Sequence, residues 1–109
     1  MKSLPVIPRE QARLDAEQAI YHYLAEAGRD VAFGFIDTLE AAYAQIGANP
    51  SSSTPRWAQE LNLPDLRSRK LKRYPYIVFF MAREDHIDVW RILHAQRDIP
   101  SWLQESHAG

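Results

Sequence analysis

The sequence predicts a two-layer α+β domain in which an antiparallel helical hairpin packs on a small, mainly antiparallel sheet. Apolar residues recur at three- and four-residue spacing between residues 9 and 46, which is typical of amphipathic helices. Residues 66–94 instead carry short runs of β-branched and aromatic residues, which are typical of strands. A proline- and serine-rich stretch lies between them. The predicted order is β-α-α-β-β-β, followed by a short C-terminal helical turn.

Length and composition indicate a single domain over residues 1–109. The formal net charge of −1 excludes a protein that coats nucleic acid with its whole surface, so any basic function is local. No apolar stretch is long enough for a signal peptide or a membrane span, so we expect a cytoplasmic protein with no membrane partner. We expect a flexible loop at 47–56 and a disordered tail at 104–109.

The first half of the chain reads as one strand and two helices. Residues 3–7 are apolar between two prolines, which favours an edge strand, and Pro8 can open the first helix. Helices are predicted over 9–27 and 29–46, because Gly28 and Gly47 are good helix stops. Two helices with so short a connection lie antiparallel.

The second half reads as three strands, at 66–74, 75–82 and 87–94. The run from Pro75 to Met81 is apolar on both faces, as in a central strand. Short turns join the three strands as an antiparallel meander. The helical hairpin then covers one face of the sheet, and we expect the other face to stay partly open.

The strand at 66–74 gathers cations in a protein whose formal net charge is only −1. These are Arg67, Arg69, Lys70, Lys72 and Arg73. Alternation along a strand places Arg67, Arg69 and Arg73 on one face and both lysines on the other. One interpretation is a charged edge strand that discourages aggregation. The other is a binding strip for an acidic partner or a phosphate backbone.

Other polar clusters suggest no cofactor. Asp85, His86 and Asp88, with His94 nearby, lack the ligand spacing of a metal site and indicate a polar turn, so we predict no metal. The serines at 51–53 have no nucleophile motif around them, and no glycine-rich phosphate loop exists.

Two stretches, "LRSRKLKRYPYIVFF" and "VWRILHAQRDIP", resemble the RelE/ParE superfamily of toxins from type II toxin–antitoxin systems, and most closely its ParE-like, plasmid stabilization branch. The resemblance covers roughly residues 4–104 and implies the same α+β fold. It also implies a ParD-like antitoxin that wraps the toxin with a segment disordered when free. The basic residues from Arg67 to Arg73 would then bind this antitoxin by charge complementarity.

The superfamily implies two activities. RelE-like members cleave mRNA in the ribosome, whereas ParE-like members poison DNA gyrase. Arg97 matches a catalytic arginine of the nucleases, but Pro75 and Tyr76 stand where a nuclease carries the arginine of its central strand. If the chain were a nuclease, Arg97, Arg73 and His94 would be its candidate catalytic residues.

The resemblance therefore favours a gyrase inhibitor without catalysis of its own, with no direct DNA binding unless the antitoxin is bound. The alternatives are a ribosome-dependent endoribonuclease and a non-toxic relative that only binds antitoxin. The residues expected to meet the target lie along and after the last strand. These are Arg91, His94, Arg97, Ile99 and Trp102. A structural reading is also open, in which Trp102 packs back on the core.

Overall fold

Two helices and four strands make up the fold in a computed structural model, which describes residues 3–55, 57, 58, 62–96 and 99. The helices are α1 (Glu10–Glu26) and α2 (Arg29–Ala48). The strands are β1 (Val6–Pro8), β2 (Leu66–Lys70), β3 (Tyr76–Ala82) and β4 (Ile87–His94). The predicted α+β class and element order are confirmed.

The strands form one mixed sheet in the order β1-β4-β3-β2. β1 pairs with β4 in parallel, and the other two pairings are antiparallel. The register shifts between Phe79 and Phe80, which pair with Arg91 and Val89, so Trp90 is the extra residue of a bulge. β2 lies at the sheet edge, which agrees with its charges on both faces.

Both helices pack on one face of the sheet through small and aromatic residues. Ala12 and Ala19 of α1 and Phe35 and Ile46 of α2 join Phe80 of β3 in one core cluster. Pro8 is the last residue of β1 and does not open α1. The backbone N–H of Arg9 still bonds Val89 O at 2.9 Å, so the chain leaves the sheet only after residue 9.

The sequence predicts that the face of the sheet away from the helices stays partly open, and this prediction is wrong, because that face carries a second core. Phe79 and Leu93 lie there, with Ile99 buried against the same cluster. Trp57 and Leu63 pack on it from the segment that precedes β2. The apolar residues on both faces of β3 are therefore explained by two covering layers.

Several boundaries differ from the prediction, and β1 begins at Val6 instead of residue 3. β2 ends at Lys70 instead of residue 74, because the chain turns there towards β3. The predicted loop at 47–56 begins inside α2, and Pro50–Ser52 form one turn of 3₁₀ helix. Its flexibility stays a prediction, and the predicted tail at 104–109 lies outside the described residues.

Among the described residues, no helix combines the length and the apolar character that crossing a membrane requires.

Candidate partner-binding surface

A tight connection between β2 and β3 sets the position of the basic residues. Leu71 N–H bonds Tyr76 O at 2.9 Å, and Tyr76 N–H bonds Tyr74 O at 2.8 Å. Arg73 adopts a left-handed conformation with φ 69°. The Tyr74 hydroxyl donates to Val31 O at 3.0 Å, so the connection is fastened to α2.

The five cations fall into two groups. Arg67 and Arg69 point towards the helices, and both are engaged: Arg67 Nη1 donates to Ser53 O at 3.3 Å, and Arg69 donates to Ser52 Oγ at 3.3 Å and to Gln45 Oε1. The other three are exposed. These are Lys70, Lys72 and Arg73.

The prediction that Arg73 shares a face with Arg67 and Arg69 is wrong. Strand alternation stops at Lys70, and Arg73 lies in the turn with a left-handed backbone. Arg73 and Arg69 nevertheless line the same groove.

This groove, here the α2–β2 groove, has a volume of about 310 Å³. One wall is the run from Arg69 to Arg73, in which every residue except Leu71 is basic. The opposite wall on α2 is made of small or polar side chains. These are Asp37, Thr38, Ala41, Ala42 and Gln45. A cationic wall above small side chains suits an acidic segment that lies flat along the helix.

A second groove, the α1–β4 groove, has a volume of about 210 Å³ and contains His94, Tyr76 and His22. The backbone N–H of Gln96 donates to His94 Nδ1 at 3.1 Å, so Nε2 carries the proton of the neutral ring. The ring of Tyr76 packs edge-on against His94, with centroids 5.2 Å apart.

Two of the three candidate nuclease residues line different grooves. Arg73 lines the α2–β2 groove and His94 lines the α1–β4 groove. The third, Arg97, lies outside the described residues. An acid–base pair and a phosphate-binding cation need to converge on one reacting phosphate, and neither of these two grooves contains both Arg73 and His94.

Arg91, expected to meet the target, is buried instead. Its side chain is 3% exposed, and its Nε and Nη2 donate to the carboxylate of Asp15 at 2.8 and 2.9 Å. The same carboxylate accepts the backbone N–H of Ile92 at 3.0 Å, so Asp15 caps β4 beyond the end of β1. Ile99 is buried too, at 2% exposed. Trp102 lies outside the described residues.

Sequence reasoning missed the Asp15–Arg91 pair, although a signal existed. Asp15 falls between Ala12 and Ala19 on the apolar stripe of α1, and a carboxylate on such a stripe indicates a buried cation partner. No comparable feature of the sequence predicts the pairing of Thr54 with Ser68 on the outer edge of β2.

A charged cluster was also missed at the start of β4. The Asp88 carboxylate accepts hydrogen bonds from Arg9 at 3.0 Å, from Arg83 at 3.0 Å and from Trp90 Nε1 at 3.2 Å. Burial acts to raise the pKa of Asp88, but the hydrogen bonds from Arg9 and Arg83 outweigh it, and the pKa is lowered. Asp85 and His86 bond each other in the turn at 2.7 Å. No metal-binding cluster is found among the described residues.

These features define a class of small α+β protein with a helical hairpin packed on a sheet that has a cationic edge. A family model described as "ParE toxin of type II toxin-antitoxin system, parDE" matches residues 6–99. The chain therefore belongs to the ParE toxin family of type II toxin–antitoxin systems.

The comparison with solved structures agrees at the level of the fold. A chain from a structure described as "Chromosomal ParDE TA system from P. aeruginosa" superposes with a TM-score of 0.71 at 19% sequence identity. The match covers 86% of this chain and 98% of that chain. No curated protein sequence matches this chain.

Proposed function

We propose that this ParE-family toxin inhibits DNA gyrase by protein–protein binding and is neutralised by a ParD-like antitoxin that binds the α2–β2 groove. The cationic wall of that groove is the observation that carries the antitoxin part. Exposed Lys70, Lys72 and Arg73 offer long-range attraction to an acidic segment, which raises the rate of encounter. The similar fold of a chain from a ParDE system supports the same class of partner.

The gyrase part is supported by the placement of Arg73 and His94 in different grooves. A ribosome-dependent nuclease would need these groups around one phosphate, whereas a protein inhibitor needs only a complementary surface. With Arg91 and Ile99 buried, the target-facing candidates are His94, Arg97 and Trp102.

Two parallel assays with the purified protein test the target. We expect inhibition of gyrase-catalysed supercoiling and no cleavage of ribosome-bound mRNA. Arg97→Ala should lose supercoiling inhibition, while an unchanged melting temperature and antitoxin affinity, measured in parallel, show that the variant still folds. Cleavage of mRNA by the wild type that Arg97→Ala abolishes would instead establish the nuclease.

The antitoxin surface is tested by charge reversal. Lys72→Glu with Arg73→Glu should weaken binding of the antitoxin encoded beside the toxin gene and flatten the dependence of affinity on salt. Arg13→Glu with Arg29→Glu makes the same change in net charge on the helices and is the matched control. Equal losses in both variants would mean that overall charge, and not the groove, attracts the antitoxin.

A further inference from the structure

The outer edge of β2 is partly occupied by the chain's own segment at residues 52–54, here called the strap. Thr54 and Ser68 exchange two backbone hydrogen bonds, at 3.0 and 2.9 Å. The side chains of Arg67 and Arg69 hold the strap through Ser53 O and Ser52 Oγ. The strap therefore takes the place that an added strand would take.

The hydrogen-bond pattern of β2 shows where this edge is open. Leu71 bonds inward to Tyr76, so by alternation Arg67 and Arg69 also bond β3, whereas Ser68 and Lys70 direct their backbone groups outward. Ser68 is covered by Thr54. No described residue bonds the outward backbone groups of Lys70, because Ser52, which would stand opposite, has already turned into the 3₁₀ helix.

The strap is weakly held. It makes a single bridge of two backbone bonds, and Pro55 supplies no N–H to extend the pairing. Ser51, Ser52 and Thr54 are exposed, so little apolar surface holds the strap in place. Each of its hydrogen bonds can be exchanged for one to water, and the net contribution of each is small.

We propose that an extended acidic segment of a partner displaces the strap and pairs with Ser68 and Lys70 of β2 as an added strand. Side chains opposite Arg67 and Arg69 face the helices, so carboxylates at alternate positions meet the two guanidinium groups that Ser53 and Ser52 release. The exposed cations Lys72 and Arg73 first attract the acidic segment. Release of the strap then frees the backbone groups of Ser68 for pairing with it. The choice of an acidic segment rests on the proposed function, and the competition with the strap goes beyond it.

A reversible lock tests the exchange. Thr54→Cys with Ser68→Cys places two thiols at directly paired positions in a chain that has no other cysteine. The probe is a short synthetic peptide that alternates glutamate and valine, and the reduced double variant is the matched control. We expect the oxidised protein to bind this peptide at least roughly tenfold more weakly than the reduced protein, since both backbone bonds at Ser68 are then closed to it. Reductant should restore binding, and equal affinity in the two redox states would overturn the proposal.

A second variant opens the strap instead. Thr54→Pro removes the N–H that bonds Ser68 O, and we expect tighter peptide binding and perturbed amide resonances at Ser68 and Lys70. Ser51→Ala leaves every contact between the strap and β2 intact and should bind like the wild type, because Ser51 Oγ donates to Asn49 Oδ1 and not to β2. Unchanged affinity in Thr54→Pro, or no binding of the peptide to the wild type, would overturn the proposal.

These readouts involve neither gyrase nor an antitoxin. Peptide pairing without gyrase inhibition would leave the strap exchange standing and remove the proposed target. Equal peptide affinity in the oxidised and reduced double variant, with antitoxin binding and gyrase inhibition by the wild type intact, would remove the strap exchange and leave the proposed function standing.

Discussion

A single buried ion pair fastens the first helix to the last strand. Asp15 and Arg91 have side chains that are 6% and 3% exposed, and Asp15 also receives the backbone N–H of Ile92. Burying such a pair costs desolvation free energy, but removing one partner leaves the other charge uncompensated in the core. The pair therefore specifies how α1 sits on β4.

Replacing the buried arginine should be far more costly than replacing an exposed one. We expect Arg91→Met to lower the free energy of unfolding by about 3–5 kcal/mol, because the carboxylate of Asp15 loses its cation. Arg13→Met is the matched control, since Arg13 pairs with Glu10 and Glu17 on the solvent side of α1, and it should cost less than about 1 kcal/mol. Equal losses in urea denaturation would mean that the Asp15–Arg91 pair has no special weight.

Acid should weaken the fold partly through Asp88. The pKa of this carboxyl is lowered in the folded protein, so its contribution is present above the unfolded pKa of about 4 and is lost as pH falls through the folded value. We expect Asp88→Asn to be less stable than the wild type near neutral pH, with a difference that shrinks below about pH 4. Urea denaturation at a series of pH values measures this difference, and a difference that does not change with pH would contradict the assignment.

At the scale of elements, the contact between α2 and the β2–β3 connection makes one glycine necessary. A Cβ at Gly34 would overlap the Tyr74 hydroxyl, which is held by Val31 O at 3.0 Å. Alanine normally stabilises a helix interior relative to glycine by up to about 1 kcal/mol. Here the overlap opposes that gain, because either the tyrosine or the turn that carries Lys72 and Arg73 has to shift.

The sign of Gly34→Ala should therefore depend on residue 74. We expect Gly34→Ala to destabilise the wild type, yet to stabilise the Tyr74→Phe background by roughly 0.5–1 kcal/mol, since that background lacks the overlapping oxygen. Tyr74→Phe alone should cost about 1 kcal/mol for the lost hydrogen bond. A double-mutant cycle from thermal denaturation measures the coupling, and additive effects would show that the hydroxyl does not restrict position 34.

At the scale of the whole molecule, the sheet has a core on each face, and residues distant in sequence close the second one. Ile99 is 2% exposed and belongs to the cluster of Phe79 and Leu93, although it follows the last strand. The chain therefore needs the segment that follows β4, as well as the helices, to bury its sheet.

We expect Ile99→Ala to cost about 2–5 kcal/mol, as for other buried isoleucines. Ile7→Ala is the matched control, because Ile7 is 53% exposed, and it should stay within about 0.5 kcal/mol. Chemical denaturation of both variants provides the comparison. A loss for Ile99→Ala no larger than that for Ile7→Ala would mean that the second core does not depend on this residue.

Local residue patterns were enough to establish the elements and the family. Periodicity places α1 and α2 within two residues of their ends, and strand alternation correctly places Arg67 and Arg69 on one face of β2, because local spacing decides which side chains share a face. That this face is turned towards the helices is known only from the structure. The charge of β2 also indicated an edge strand, as the sheet order confirms.

The residues that meet across the fold, in contrast, are known only from the packed molecule. Asp15 and Arg91 are 76 positions apart, and Thr54 and Ser68 are joined by two hydrogen bonds between backbone groups, which carry no sequence signature. Arg91 was expected to contact the target and is buried. Arg73 was expected on the strand face, but it lies in a turn with a left-handed backbone and lines the α2–β2 groove. Pairings of this kind depend on how elements pack and where strands end, and local residue patterns do not contain that information.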